Sequence, residues 1–199
     1  MHIVLIHSRF IPRKKSGGPT FLLDKNNPVI LQQTTQFSSY DISVITGFES
    51  DKILKIKLGN NVTNIFNEKY MVAGTLYELS LLPNLNDDLL IISGPVILTS
   101  KVINLLAQQK YSTVPILPVN PDNELGCVLD QNFNIENILW KLPNKILDVV
   151  FLKKKDANEL LYLSKKQESI NKFLFEGLNF LLEKTQIKGK FIENGITTY

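Results

Sequence analysis

Cationic side chains follow the first apolar segment of the chain. Arg9, Arg13, Lys14 and Lys15 all lie within residues 8–18, a stretch that ends in two consecutive glycines. Four cations beside a flexible backbone could surround a triphosphate, because basic side chains and free backbone N–H groups both bind phosphate oxygens. A solvated surface loop is the alternative interpretation, and the sequence favours neither.

Other residues that could do chemistry have more ordinary interpretations. His7 stands at the end of the first apolar segment, where a hydrogen-bonded structural role is commoner than that of a catalytic base. Asp87 and Asp88 precede another apolar segment, which indicates a solvated turn. Trp140 could cover a pocket or an interface, although a lone tryptophan more often belongs to a core or contact surface.

Composition limits the class of protein. The chain has 199 residues, of which 44% are hydrophobic, so it can bury a core and is not disordered. Its formal net charge of +3 makes nucleic acid an unlikely partner. No apolar stretch approaches the roughly 20 residues that cross a bilayer, and the single cysteine fits a reducing compartment. These features predict one cytoplasmic domain, residues 1–199, with no membrane partner.

Short apolar segments alternate with helical patterns in the first 110 residues. This alternation indicates parallel βαβ units with helices on both faces of a sheet. Apolar runs bounded by turn residues predict the strands, and capping residues with apolar spacing predict the helices. The predicted strands are 2–6, 42–46, 62–66 and 89–93, and the predicted helices are 28–39, 51–58, 75–82 and 100–109.

The remaining residues, 111–199, follow a different pattern. Strands predicted at 114–119, 126–129 and 145–152 succeed one another without helices between them, which indicates a mixed or antiparallel extension of the sheet. Apolar residues at helical spacing then predict a long helix over 165–184, and a last strand is predicted at 188–198. The whole pattern predicts an α/β fold.

Several short motifs occur in the order that one enzyme family shows. Ser8-Arg9-Phe10 follows the first predicted strand, and Ile45-Thr46-Gly47-Phe48 closes the second. Asn67, Tyr70 and Gly74-Thr75-Leu76-Tyr77-Glu78-Leu79 lead into a helix. In these motifs the chain resembles the nucleotidyltransferases that join a nucleoside triphosphate to a sugar 1-phosphate or a related phosphorylated alcohol. The resemblance implies a three-layer α/β/α fold with a mostly parallel, mixed central sheet, of the nucleotide-diphospho-sugar transferase (GT-A) type.

The resemblance also implies a site. Residues 1–110 would form the nucleotide-binding half, and residues 111–199 would form the acceptor-side half. Arg9 matches a catalytic position of the family, and its partners would be a nucleotide or a sugar-phosphate. The candidate nucleotide- and phosphate-binding residues are Ser8, Arg9, Arg13, Lys14, Lys15, Gly47, Gly74, Thr75 and Gly94.

The chain departs from the family's pattern where charge must be neutralised. Gly94-Pro95 stands where the family has Gly-Asp, whose Asp holds a catalytic metal, and His7 and Thr20 replace a loop glycine and a lysine. A second metal-binding Asp is expected after the last strand, and the chain reaches Tyr199 without one. The implied cofactor is Mg²⁺, which takes carboxylate ligands. Proline offers none, so the expected carboxylates do not support it.

Three functional hypotheses follow. The first is a divergent nucleotidyltransferase-like protein, a pseudoenzyme, that binds a nucleotide or sugar-phosphate and has lost metal-dependent catalysis. The second is an active enzyme with a rearranged Mg²⁺ site, which requires carboxylates near Arg9 and Gly94. The third is a structural or assembly protein that reuses the fold, with another protein subunit as its partner. The first is preferred, because the departures affect several parts of one charge-neutralising apparatus.

Overall fold

The computed structural model of this chain describes residues 1–11, 18–19, 28–120 and 124–198. Within these ranges, no helix has the length and apolar character needed to cross a membrane. The strands are β1 (His2–His7), β2 (Phe10–Ile11), β3 (Gly18–Pro19), β4 (Ile42–Thr46), β5 (Val62–Phe66), β6 (Leu89–Ser93), β7 (Val96–Leu98), β8 (Ser112–Leu117), β9 (Leu125–Leu129), β10 (Ile135–Trp140), β11 (Asn144–Ile146), β12 (Val149–Leu152), β13 (Ile187–Phe191) and β14 (Ile196–Thr198). The helices are α1 (Val29–Gln36), α2 (Ser50–Leu54), α3 (Thr75–Ser80), α4 (Ser100–Ala107), α5 (Lys154–Ser164) and α6 (Leu174–Leu182), with a 3₁₀ turn at Gln167–Ser169.

Ten strands of the described part of the chain form a mixed sheet, which is the middle layer. Nine of its strands follow the order β10-β9-β11-β8-β12-β6-β1-β4-β5, and β13 pairs with β8 outside this path. Strand β1 lies parallel to both β4 and β6, and β4 lies parallel to β5. Strand β12 runs antiparallel to β6, and the strands beyond it include antiparallel pairs. The sheet is therefore parallel where the first half of the chain builds it and mixed beyond β6.

Apolar cores lie on both faces of this sheet. In β1, Val4 packs with helices α3, α5 and α6 on one face, and Leu5 packs with α1, α2 and α4 on the other. Successive side chains of a strand point to opposite faces, so a strand buried on both faces reads as a continuous apolar run. The architecture is a three-layer α/β/α fold with a mixed central sheet, which confirms the predicted fold class.

The predicted parallel strands are confirmed closely, and the second half needs correction. The strand predicted over 145–152 is two strands, β11 and β12, and that over 188–198 is β13 and β14. Strand β10 was not predicted, because Glu136 and Asn137 are both exposed and the register shifts there, which breaks the alternation of buried and exposed positions.

The single long helix predicted over 165–184 is wrong. Helix α5 ends at Ser164, and α6 begins only at Leu174. The carbonyl groups of Ile170 and Lys172 accept hydrogen bonds from Gly74 N (2.7 Å) and Leu76 N (3.0 Å), at the start of α3. These carbonyls therefore bind another helix instead of continuing their own. The apolar residues over 165–184 share one buried face, so their spacing gives no sign that the helix is interrupted.

Candidate functional site

The polar positions predicted from the motifs meet at one edge of the sheet. Strands β1, β4, β5 and β6 are parallel, so the segments that follow them gather beside each other, where ligands bind in open α/β sheets. Phe48 N donates to Ser8 O (2.8 Å), Asn67 N donates to Thr46 O (2.8 Å), and Gly94 N donates to Ile6 O (2.9 Å). The backbone thus fixes the segments after all four strands in one cleft.

A fully buried carboxyl group, that of Glu78 on α3, lies beneath this cleft. The Ser8 hydroxyl and Asn67 Nδ2 (3.4 Å) both donate to Glu78 Oε1. Arg9 Nε lies 3.7 Å from the same oxygen. One acid therefore ties together the segments that follow β1 and β5.

The pKa of Glu78 is raised to about 7, chiefly because burial penalises the charged form. Hydrogen bonds from Ser8 and Asn67 and the charge of Arg9 lower it only in part. Among the described residues, Glu78 Oε2 has no hydrogen-bond partner. Glu78 is therefore protonated more readily near neutral pH than an exposed glutamate is.

Arg9 lies between this acid and an open cavity. One guanidinium nitrogen donates to the carbonyl oxygen of Ala73, and the side chain remains about one third exposed. A cavity of 480 Å³ is lined by Arg9, Phe48, Tyr70 and Met71. The structure thus fixes a cation at the cleft surface with free volume in front of it, which is the arrangement an anion-binding site requires.

Other predicted phosphate-binding residues have visible packing roles. A Cβ added at Gly47 would lie 2.6 Å from Ser8 O, and one added at Gly74 would overlap the carbonyl of Lys172. The Thr75 hydroxyl accepts a hydrogen bond from Leu174 N (2.8 Å). Phosphate binding by these three residues stays a prediction. The predicted cations Arg13, Lys14 and Lys15 lie outside the described residues.

Gly94-Pro95 forms the turn after β6. Gly94 has a φ of +78°, and a Cβ there would meet none of the described residues within 4 Å. Gln33 Nε2 donates to Gly94 O (3.1 Å) and to Val96 O (2.8 Å), and Gln33 Oε1 lies 2.7 Å from His7 Nε2. His7 is fully buried in this network, as expected of a structural residue. Gln33 was missed because its role depends on contacts across the fold.

The described residues do not fit the metal site that the family implies. Within residues 1–11, 18–19, 28–120 and 124–198, no three His, Cys, Asp or Glu side chains gather as metal ligands. The Glu78 carboxyl group is buried and accepts hydrogen bonds from Ser8 and Asn67, and the side chain of Pro95 offers no metal ligand. The last strand of the main sheet, β13, ends at Phe191 and is followed by Glu193, whereas the final strand of the chain, β14, ends at Thr198. Glu193 is exposed.

A second cavity, of 250 Å³, lies between the end of β6 and the start of α6. Its lining is mainly apolar and includes three aromatic side chains and one carboxylate. The lining residues are Thr75, Ser93, Leu125, Trp140, Ile146, Leu147, Asp148, Val150, Phe173, Leu174, Phe175 and Leu178. Trp140 lines this cavity, which is one of the roles that the sequence left open. Asp148 was missed, because nothing in its local sequence shows that the sheet places it beside Ser93.

Asp148 stands in the wall of this second cavity. Its carbonyl oxygen accepts a hydrogen bond from Ser93 N (2.9 Å), which fixes it beside the last residue of β6. The side chain is open to the cavity, yet enough protein surrounds it that desolvation raises its pKa to about 6. Nearby Glu124 raises this pKa further, and Lys145 opposes both effects.

Solved structures with the same architecture include nucleotidyltransferases. A CTP:phosphocholine cytidylyltransferase from Streptococcus pneumoniae aligns with a TM-score of 0.70 at 18% identity, over 98% of this chain and 91% of that chain. A putative glucose-1-phosphate thymidylyltransferase from Bacillus anthracis gives 0.69 at 17%, over 98% and 88%. A UDP-glucose pyrophosphorylase gives 0.72 at 11%, over 98% and 91%. The chain therefore has the sugar-1-phosphate nucleotidyltransferase-like fold that its motifs predicted.

Sequence comparison adds no closer relation. No family model matches the chain, and no curated protein matches its sequence. At identities below one fifth, the structural likeness shows the fold, and function must be argued from the site.

Proposed function

We propose that this protein binds a nucleotide, with its phosphates on Arg9. The observation that carries this proposal is the position of Arg9, anchored to Ala73 and Glu78 and facing a 480 Å³ cavity at the carboxyl edge of the parallel strands. The structural neighbours are named for reactions of CTP, UDP-glucose and glucose 1-phosphate. We accordingly assign a phosphorylated alcohol or sugar as the second ligand and the cytoplasm as the location.

We further propose that metal-dependent nucleotidyl transfer has been lost. The transfer needs neutralisation of the charge that builds up around the α-phosphate, mainly by Mg²⁺ held on carboxylates. By the resemblance of its motifs, Pro95 stands where the family has its metal-binding Asp. Glu78 directs its oxygen to Ser8, Asn67 and Arg9. The site retains a fixed cation for binding without the carboxylate cluster that the reaction uses.

An active enzyme with a rearranged metal site is the second candidate. It requires carboxylates near Arg9 and Gly94. Glu78 lies beside Arg9, and the backbone of Asp148 is bonded to Ser93, which precedes Gly94. Asp148 is therefore the residue that this candidate would use. We rank it second because one accessible carboxylate is a minimal ligand set for Mg²⁺.

Calorimetric titration with each nucleoside triphosphate, in Mg²⁺ and again in EDTA, tests the proposal. We expect one nucleotide to bind with similar affinity in both conditions, because Arg9 would contact the phosphates directly. Arg9→Ala should weaken that binding by at least tenfold, which corresponds to about 1.4 kcal/mol. Lys154→Ala removes an exposed cation at the start of α5, where Lys154 N binds Asp88 at the opposite edge of the sheet, and should leave the affinity unchanged.

Binding that disappears in EDTA would favour the active-enzyme candidate, and Asp148→Asn would then abolish it. Failure of all four nucleotides to bind a folded protein would overturn the proposal. It would favour the assembly role, for which exposed Met71 and Val72 offer an apolar surface. Thermal unfolding of each variant verifies that a loss of binding is not a loss of fold.

A further inference from the structure

The wall of the 250 Å³ cavity carries a cluster of three aromatic rings. Phe173 and Phe175 stack with their ring centroids 6.0 Å apart and their planes 12° apart. Trp140 meets Phe175 edge to face at 6.4 Å. Trp140 and Phe173 remain 60% and 50% exposed, so their surfaces are available to a ligand. Aromatic faces carry partial negative charge and attract cations, most strongly when several surround one group.

A carboxylate without a partner faces the same cavity. Among the described residues, the Asp148 side chain makes no hydrogen bond or ion pair, although it is surrounded by mainly apolar lining. The nearby cation, Lys145, forms an ion pair with Glu124. The charge of Lys145 is therefore balanced by Glu124, and Asp148 gives the cavity a net negative charge.

The scarcity of hydrogen-bond acceptors limits which cation this cavity suits. A primary ammonium carries three N–H donors, and leaving a buried donor unpaired is costly. Among the described side chains of the lining, only Asp148 and the hydroxyl groups of Thr75 and Ser93 can accept a hydrogen bond, and that of Thr75 already accepts from Leu174 N. A quaternary ammonium has no N–H to satisfy, and its methyl groups can pack on the aromatic rings while its charge faces the carboxylate.

We propose that this cavity binds the quaternary ammonium group of a small phosphorylated alcohol. The proposal rests on the proposed function for the ligand's phosphate end, because Thr75 and Ser93 line the cavity and adjoin Gly74 and Gly94 of the nucleotide cleft. Recognition of the ammonium group itself depends only on Asp148 and the three rings, so it can be measured without a nucleotide.

Calorimetric titration with choline and with its neutral isostere 3,3-dimethylbutan-1-ol tests this inference. We expect choline to bind at least tenfold more tightly than the isostere, because only choline carries the charge. Ethanolamine should bind more weakly than choline, because its N–H groups lack acceptors. Asp148→Asn should remove the preference for choline. Asp51→Asn, which removes an exposed carboxylate on α2, should preserve it.

A second variant separates charge recognition from apolar packing. Trp140→Leu keeps an apolar residue but removes an aromatic face, and it should weaken choline binding severalfold while changing isostere binding little. Equal affinity for choline and the isostere would overturn the inference, as would the absence of choline binding. Nucleotide titration of the same preparation distinguishes these results from failure of the proposed function, since nucleotide binding depends on Arg9 and should survive Asp148→Asn.

Discussion

Two carboxyl groups at this end of the sheet have opposite settings. Glu78 is fully buried and receives hydrogen bonds from Ser8 and Asn67, with Arg9 beside it. Asp148 is open to a cavity of aromatic rings and has no side-chain partner among the residues that the structure describes. Desolvation raises the pKa of both, to about 7 and about 6 respectively.

The difference shows that a similar rise in carboxyl pKa can occur beside sites for ligands of opposite charge. Under the proposed function, ionised Glu78 would compete with a bound phosphate for Arg9, and protonation of Glu78 would favour phosphate binding. Asp148 attracts a cation only when it is ionised. The polar wall (Ser8, Arg9, Asn67, Glu78) is therefore suited to an anion and the aromatic wall (Trp140, Asp148, Phe173, Phe175) to a cation.

A substitution that pushes the two walls apart should cause the largest loss of stability. Gly74 joins them, since its N–H binds Ile170 O and an added Cβ would overlap Lys172 O. Gly74→Ala should destabilise the protein by about 3 kcal/mol or more, because two backbone segments must move apart. Gly94→Ala, where a Cβ at positive φ meets none of the described residues within 4 Å, should cost only about 1–2 kcal/mol. Urea unfolding of both variants measures this difference. Equal losses of stability would contradict the role of Gly74 in joining the two walls.

Next in size is the pH dependence that Glu78 gives to stability. Its pKa rises from 4.5 in the unfolded chain to about 7 in the folded protein, so folding takes up a proton between these values. Stability should fall by about 3 kcal/mol as pH rises from below 4.5 to above 7. Glu78→Gln should remove that fall, while Glu183→Gln, at the exposed end of α6, should retain it. Urea unfolding at pH 5 and pH 8 measures both, and an unchanged slope in Glu78→Gln would refute the assignment.

The two walls should also respond to pH in opposite directions. Choline affinity should decline as pH falls through about 6, because protonation neutralises Asp148. It should decline up to about tenfold per pH unit below that point. Glu124 and Lys145 are the charged groups that act on Asp148. Glu124→Gln removes one of these charges and should keep the decline in choline affinity at low pH, so it serves as a control. Calorimetry from pH 5 to pH 8 follows the affinity, and Asp148→Asn should abolish the trend.

Nucleotide affinity should instead decline as pH rises from 6 to 8, because ionised Glu78 competes for Arg9. Glu78→Gln should lose this decline and bind at pH 8 as the unmodified protein does at pH 6. Titrations in buffers of different ionisation enthalpy should reveal uptake of a fraction of a proton near pH 7. Proton release on binding would contradict this account of the polar wall.

The smallest expected effect concerns one donor within the polar wall. Ser8→Ala removes the hydroxyl that donates to Glu78 Oε1, and it should cost about 1 kcal/mol of stability. It should also move the pH-dependent fall in stability to higher pH, because one of the groups that lower the pKa of Glu78 is lost. Urea unfolding across the pH range detects both changes, and an unaltered midpoint of the fall would argue against the hydrogen bond.

The sequence predicts the polar wall better than the aromatic wall for a physical reason. Buried parallel strands read as continuous apolar runs, so the strands were predicted from their own residues. The family resemblance then named Ser8, Arg9, Gly47 and Gly94, which follow such strands and meet at their carboxyl ends. Asp148 and Phe175 come together through antiparallel pairing and a broken helix, which leave no periodic signal. Glu78 stood within a recognised motif, but its burial depends on Ser8 and Asn67 across the fold.

Under the proposed function, the cleft binds its ligands without transferring a nucleotidyl group. Pyrophosphate release tests it most directly, with each nucleoside triphosphate, Mg²⁺ and either phosphocholine or glucose 1-phosphate present. The account predicts no release above the protein-free background, even where calorimetry detects binding. Release that depends on the protein and disappears in Asp148→Asn would contradict it and would identify Asp148 as a carboxylate of a working metal site.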